Sequence, residues 1–226
     1  FPNLHHKYLV RRNSNCVRTV YGVLMIENWQ DDTFKMCYFG NYGSFFSEFL
    51  SKQLVDFVFL DIGANQGIYS LIAAENPHCH SIIALEPVPD TFDLLRANIL
   101  CNSQDGKISA VQSGLSDDTG RRTIRIKPGH SGAASLRDNT SQVFSQSCEV
   151  DMVNHKKLEE LLPTSNRIIT KIDIEGHEEN AIRELVQVSQ FGNIDTIFYE
   201  IDERWTDRTA IEALLREKGF VWFHRV

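Results

Sequence analysis

No part of the 226-residue chain stays apolar for long. The longest uninterrupted runs are a handful of residues, such as Phe57-Val58-Phe59-Leu60, far short of the roughly 18 that a membrane-spanning helix needs. Long basic runs are missing too. Arg11-Arg12 and Arg121-Arg122 are the densest positive spots, and both read as solvated surface. With a net charge of -7 the chain repels a polyanion at long range, so no nucleic-acid partner is expected. The five cysteines (Cys16, Cys37, Cys79, Cys101 and Cys148) contain no C-x-x-C pair. Odd in number and scattered, they predict reduced thiols in a cytosol-like, cytoplasmic setting, not a disulfide framework or a zinc site. Phe1-Pro2-Asn3 offers neither an initiating Met nor a charged-then-apolar leader, and the length suits one module of a larger polypeptide. Repeats and low-complexity segments are absent as well. At 42% hydrophobic and 23% charged residues the composition is that of an ordinary globular domain, so pattern must carry the rest.

The pattern divides the chain in two. Residues 1–53 are expected to form an appendage packed on the core, without independence as a domain. Within it residues 17–25 and 33–39 read as the strands of a hairpin joined by the polar stretch 27–32, and residues 44–53 read as a helix carrying Phe45, Phe46, Phe49 and Leu50. Residues 54–226 are expected to form the main domain. There strands at 57–60, 81–85, 108–111, 168–174 and 196–199 alternate with helices whose apolar stripes run through Leu71, Leu95, Ile182 and Leu214. Residues 122–127 read as a further strand, 220–223 as a last one, and Thr206 as a helix N-cap. Alternation of this kind needs crossover connections, hence an α/β fold with a largely parallel sheet and helices on both faces. Ligands of such sheets bind beyond the carboxyl ends of the strands.

Three motifs lie at those ends. In Asp61-Ile62-Gly63-Ala64-Asn65-Gln66-Gly67 a buried strand delivers Asp61 to the sheet edge, and Gly63 and Gly67 permit a tight turn. Asn65 stands where a dinucleotide fingerprint requires glycine, so the turn suits a ligand with an ammonium group and no phosphate. Glu86-Pro87 ends the next strand, roughly 20 residues on, where a carboxylate accepts hydrogen bonds from ribose hydroxyls. Lys171-Ile172-Asp173-Ile174-Glu175-Gly176-His177-Glu178 sets Lys171, Asp173 and Glu175 on one strand face, where unpaired burial is costly.

Together these motifs resemble the FkbM family of S-adenosylmethionine-dependent methyltransferases, from about Tyr42 to the C-terminus, with Gly114-Leu115-Ser116-Asp117 similar to the family's adenine-side loop. The resemblance implies a class I methyltransferase (Rossmann-like) fold with a seven-stranded sheet, the last strand antiparallel. It implies O-methylation of a hydroxyl on a sugar, a glycan (a deoxyhexose is one candidate) or a natural product, and a place within a larger glycan-processing polypeptide. Asp61, Gly63, Ala64, Asn65 and Gly67 would serve the methionine part of the donor, Glu86 and Pro87 the ribose, Leu115 and Ser116 the adenine. Residues 130–136 fall on the substrate side.

An alcohol needs a base or a metal before it attacks. Asp173 is the first candidate for base and His177 the second, with Glu175 beside them. Related O-methyltransferases hold a divalent cation after the fourth and fifth strands; here that means Asp173 and Glu200, with Asp202 nearby, a set suited to magnesium or manganese. Trp29, Tyr38, Tyr42, Phe45 and Trp205 are aromatics able to stack on sugar rings. Rival readings are a nicotinamide oxidoreductase, an RNA ribose methylase and an inactive binding module.

Overall fold

The computed structural model describes residues 15–117, 119–135, 145–202, 204 and 206–226; Arg11, Arg12, Leu136 and Trp205, singled out above, lie outside them. The fold is α/β. Its central sheet holds five strands, not seven, in the order β11-β10-β3-β4-β5: β3 (Phe57–Ile62), β4 (Cys79–Leu85), β5 (Ile108–Val111), β10 (Ile168–Ile172) and β11 (Ile194–Tyr199). All its pairings are parallel. Strand β3 is buried along its whole length, as its unbroken apolar run requires.

Alternation along β3 sorts the two layers. Phe57 and Phe59 face α2 (Ser44–Ser51), α3 (Ile68–Glu75) and α4 (Pro89–Cys101). Val58, Leu60 and Ile62 face α5 (His155–Leu161), α6 (Glu178–Leu185) and α7 (Arg208–Glu217). Asp61 therefore falls on the first face, at the carboxyl end, in register with Lys171 of β10. No helix among the described residues is long and apolar enough to cross a membrane.

Residues 220–223 do not form the expected last strand. Phe220 and Phe223 pack on the core while Val221 and Trp222 point outward, a spacing of three that a pleated strand cannot present to one face. Thr206 does not cap α7 either. Asp207 accepts from the Ala210 N–H instead, and buried Thr206 turns its hydroxyl to Glu178.

The first region departs further from expectation. Residues 33–39 are not a strand but belong to helix α1 (Asp32–Phe39), capped by Asp31, which accepts from the Phe34 N–H, and closed by Gly40 in the left-handed region. Two good caps override the β preference of Thr33, Phe34 and Tyr38. The hairpin lies wholly within the preceding stretch, β1 (Cys16–Arg18) pairing antiparallel with β2 (Leu24–Ile26). Phe34, Cys37, Phe46 and Leu50 share one apolar cluster with Phe57 and Phe59 of the sheet.

Cys16 and Cys101 form a disulfide across 85 residues, which corrects the expectation of reduced thiols throughout; Cys37, Cys79 and Cys148 remain free. A second, four-stranded sheet, β6-β9-β7-β8, consists of β6 (Gly114–Leu115), β7 (Gly120–Ile126), β8 (Ala134–Ser135) and β9 (Gln146–Val153). It carries its own apolar patch of Val88, Ile124, Val150 and Met152.

Candidate active site

Two cavities open above the carboxyl ends of the parallel strands. The first is walled by Gly63, Asn65, Glu86, Pro87, Leu115, Ile124, Ser131, Ala134, Met152 and His177, among others. The second, the larger, is bounded by His130, Tyr199, Glu200, Arg208, Glu212, Trp222 and Arg225, among others. Four residues line both: Tyr42, Gly132, Asp173 and Glu175. They form the neck between the cavities.

The turn after β3 sets the near wall. Gly63 has φ 78°, and a Cβ there would stand 2.0 Å from the Asp173 carbonyl oxygen, so no other residue fits between β3 and the strand-end loop of β10. Asn65 also takes a positive φ, 50°, which asparagine tolerates better than most. Its backbone N–H donates to Glu86 Oε2 at 2.9 Å, and the Val88 N–H donates to Oε1 at 2.9 Å. Glu86 is thus fixed by two backbone donors while lining the cavity. Burial nevertheless pushes its carboxyl up to about 7.

Beneath the neck lies a buried charge system. Lys171 Nζ donates to the Gly63 carbonyl at 2.6 Å and stands 3.6 Å from Asp61 Oδ1 and 3.4 Å from Asp173 Oδ2. Burial works to lower its pKa, but Asp173 and Asp61 outweigh burial and raise it, so the ammonium persists. Asp61 accepts from Ser70 Oγ at 2.7 Å through Oδ2, while Oδ1 has no hydrogen-bond partner. Burial raises its pKa against the pull of Lys171. Asp61 sits behind the cavity wall and acts on it through Lys171.

Asp173, Glu175 and Glu200 bring carboxylate oxygens within 4.8 Å of one another. Loss of water and repulsion from Asp173 push Glu175 up to about 7 and Glu200 up to about 8. Lys171 stands beside Asp173, and Glu175 and Glu200 hold protons near neutral pH that isolated carboxyls would release. Tyr42 joins the neck from the first region; its backbone N–H donates to Tyr21 Oη at 3.1 Å and its carbonyl accepts from Tyr69 Oη at 2.6 Å. Burial, and Asp173 after it, hold its phenol well above the usual range.

Of the residues singled out from sequence, Gly63, Asn65, Glu86, Pro87 and Leu115 line the first cavity, while Asp61, Ala64, Gly67 and Ser116 lie behind it. His177 faces this first cavity, with Nε2 3.1 Å from Ser116 Oγ, away from the second. The loop after β7 is not confined to one side: His130 lines the second cavity, Ser131 and Ala134 the first. Asp202 bonds Arg204 and lies outside the carboxylate cluster, where Glu175 takes its place. Trp29 and Tyr38 pack on one another 4.8 Å apart and line neither cavity. Ile124 and Met152 were not anticipated, and both belong to the second sheet; Ser131, expected on the substrate side, lines the first cavity.

A carboxylate held at a strand end beside a glycine turn, over a parallel α/β sheet, is the arrangement that Rossmann-like folds offer to nucleotide cofactors. The chain belongs to the FkbM methyltransferases: the family model described as the Methyltransferase FkbM domain matches residues 61–222, and the protein is a methyltransferase. It is 28% identical over 189 residues to "Methyltransferase sdnD" of Sordaria araneosa, covering 71% of this chain and 72% of that protein. It is 27% identical over 169 residues to "Hexuronic acid methyltransferase AglP" of Haloferax volcanii, covering 74% and 66%. Among solved structures, the methyltransferase FkbM of Methylobacillus flagellatus aligns with TM-score 0.39 at 17% identity, over 66% of this chain and 36% of that one.

Proposed function

We propose that the protein transfers a methyl group from S-adenosylmethionine to a hydroxyl oxygen of a sugar, glycan or related natural product. The observation that carries this reading is the neck, where two carboxylates, Asp173 and Glu175, are reached from both cavities. The first cavity suits an adenosine: Leu115, Ile124 and Met152 supply apolar walls, and Glu86 retains lone pairs for ribose hydroxyls. Among the described residues no lysine or arginine that would receive a pyrophosphate lines it. The name of the Haloferax relative refers to a hexuronic acid, which favours a sugar acceptor here.

The donor supplies a methyl already activated by its sulfonium. The chain must then hold both partners, exclude water, and take the proton of the acceptor hydroxyl. Asp173 receives that proton, with Lys171 Nζ 3.4 Å from its Oδ2. Asp173, Glu175 and Glu200 offer hard oxygens that would hold magnesium or manganese and so relieve their own repulsion. Residues 1–53 serve as an appendage to the transferase domain at 54–226. The Cys16–Cys101 bridge is of the kind that oxidising compartments maintain, in contrast to the cytosol-like setting expected from cysteine spacing.

Calorimetry with S-adenosylhomocysteine tests the donor; binding is expected, and none would remove the reading. A screen of glycans and nucleotide sugars with isotope-labelled donor, read as mass gain, then identifies the acceptor. EDTA that leaves turnover intact would dismiss the cation.

A further inference from the structure

Residues 128–133 form a roof loop that leads into β8 and brings Ser131 and Gly132 to the wall of the donor cavity, yet none of their side chains is buried. Apart from Ala134 at its end, which packs on the second sheet, apolar packing does not hold this loop. Polar contacts do, and they converge on one carboxylate from the first region. Asp31, only 6% exposed, accepts from the Ser131 N–H at 2.8 Å through Oδ2. Its Oδ1 accepts from Gln66 Nε2 at 2.9 Å and lies 3.1 Å from Ser131 Oγ. Ser131 Oγ in turn accepts from Gln66 Nε2 at 2.9 Å and lies 3.0 Å from Asn65 Oδ1. Neighbouring backbone completes the seam: the Asp32 N–H donates to the Gly129 carbonyl, and the Gly132 N–H to Thr33 Oγ1, each at 2.9 Å.

We propose that Asp31 is a positioning residue for methyl transfer: by holding Ser131 it fixes the roof loop over the donor cavity and locks it to the turn at Asn65 and Gln66. The appendage thereby completes the donor site indirectly through Ser131, besides the wall that Tyr42 supplies at the neck. A buried carboxylate bonded to several donors is a rigid anchor because each bond is charge-assisted. Loss of the anchor leaves the loop tied only by the bonds at Gly129 and Gly132 and by β8 at its end, and the donor must then order Ser131 on binding. The inference rests on the donor reading given above.

Asp31→Asn separates this role from simple helix capping. Asparagine caps as well as aspartate, so its Oδ1 still serves the Phe34 N–H, while its amide nitrogen meets the Ser131 N–H donor to donor. Ser131→Ala removes the hydroxyl contacts from the other side. For both variants the expected result is faster amide hydrogen exchange at residues 129–132 and S-adenosylhomocysteine affinity weakened about tenfold by calorimetry, the scale of one lost charge-assisted bond, with the far-UV spectrum unchanged. Wild-type exchange rates, or an affinity within about twofold of wild type, in either variant would overturn the proposal. A wild-type protein that binds no S-adenosylhomocysteine would overturn the donor reading itself, and the wild-type titration tells the two failures apart.

Discussion

The two cavities differ in what they are made of. The donor side is built from backbone turns and short side chains whose polar atoms are engaged within the protein: Glu86 by two N–H groups, Asn65 by the Gln66 N–H. The acceptor side is built from long side chains and the C-terminal tail, with Arg208, Glu212 and Arg225 at its rim and Trp222 81% exposed. One is lined by buried groups; the other, although Arg208 bonds Glu212 at 2.6 Å, carries exposed groups at its rim. Substitutions on the tail and rim are therefore expected to leave the donor undisturbed.

Substitution at the neck should expose this division most sharply. Asp173→Asn is expected to lower turnover on the order of a thousandfold, the usual share of a general base, while S-adenosylhomocysteine affinity by calorimetry stays near wild type. Equal losses in both would make the neck part of the donor side. Glu86→Ala should weaken donor binding by about a hundredfold, since two backbone donors lose a charged partner along with the ribose contact. Trp222→Ala should leave donor affinity unchanged and raise the acceptor KM severalfold, within about 2–12-fold for one aromatic contact; an unchanged KM would mean the tail is no wall of the acceptor site.

The smallest effect concerns pH. Glu200 titrates at about 8 in the folded chain, against a carboxyl near 4.3 when unfolded. Between those values the native state binds more protons than the unfolded one, so this group removes stability as pH rises from about 5 to 8. Glu200→Gln deletes that penalty. Its melting temperature should match wild type near pH 5 and exceed it by a few degrees near pH 8; added magnesium should shrink the difference if the cation sits there.

Much of the donor side was readable because its residues follow strands of continuous apolar sequence. Phe57 to Leu60 announces a strand buried on both faces, and the residues just beyond such strands, Gly63, Glu86 and Asp173, fall at the cavities. The first region was misread where capping outweighed composition, as at Asp31 and Gly40 around α1. Strand β9 carried a legible alternation in Cys148, Val150 and Met152. By contrast, no local pattern joins Asp31 to Ser131, 100 residues apart, nor Cys16 to Cys101. Such pairs exist only once the sheet has brought its crossovers together.

The Cys16–Cys101 bond encloses more than a hairpin. Asp31, Tyr42, Asp61, Gly63, Asn65 and Glu86 all lie on the stretch of chain between its two sulfurs. A protease that cuts one peptide bond inside this covalent ring leaves two pieces still tied together, which migrate apart on a denaturing gel only after a thiol reductant has been added.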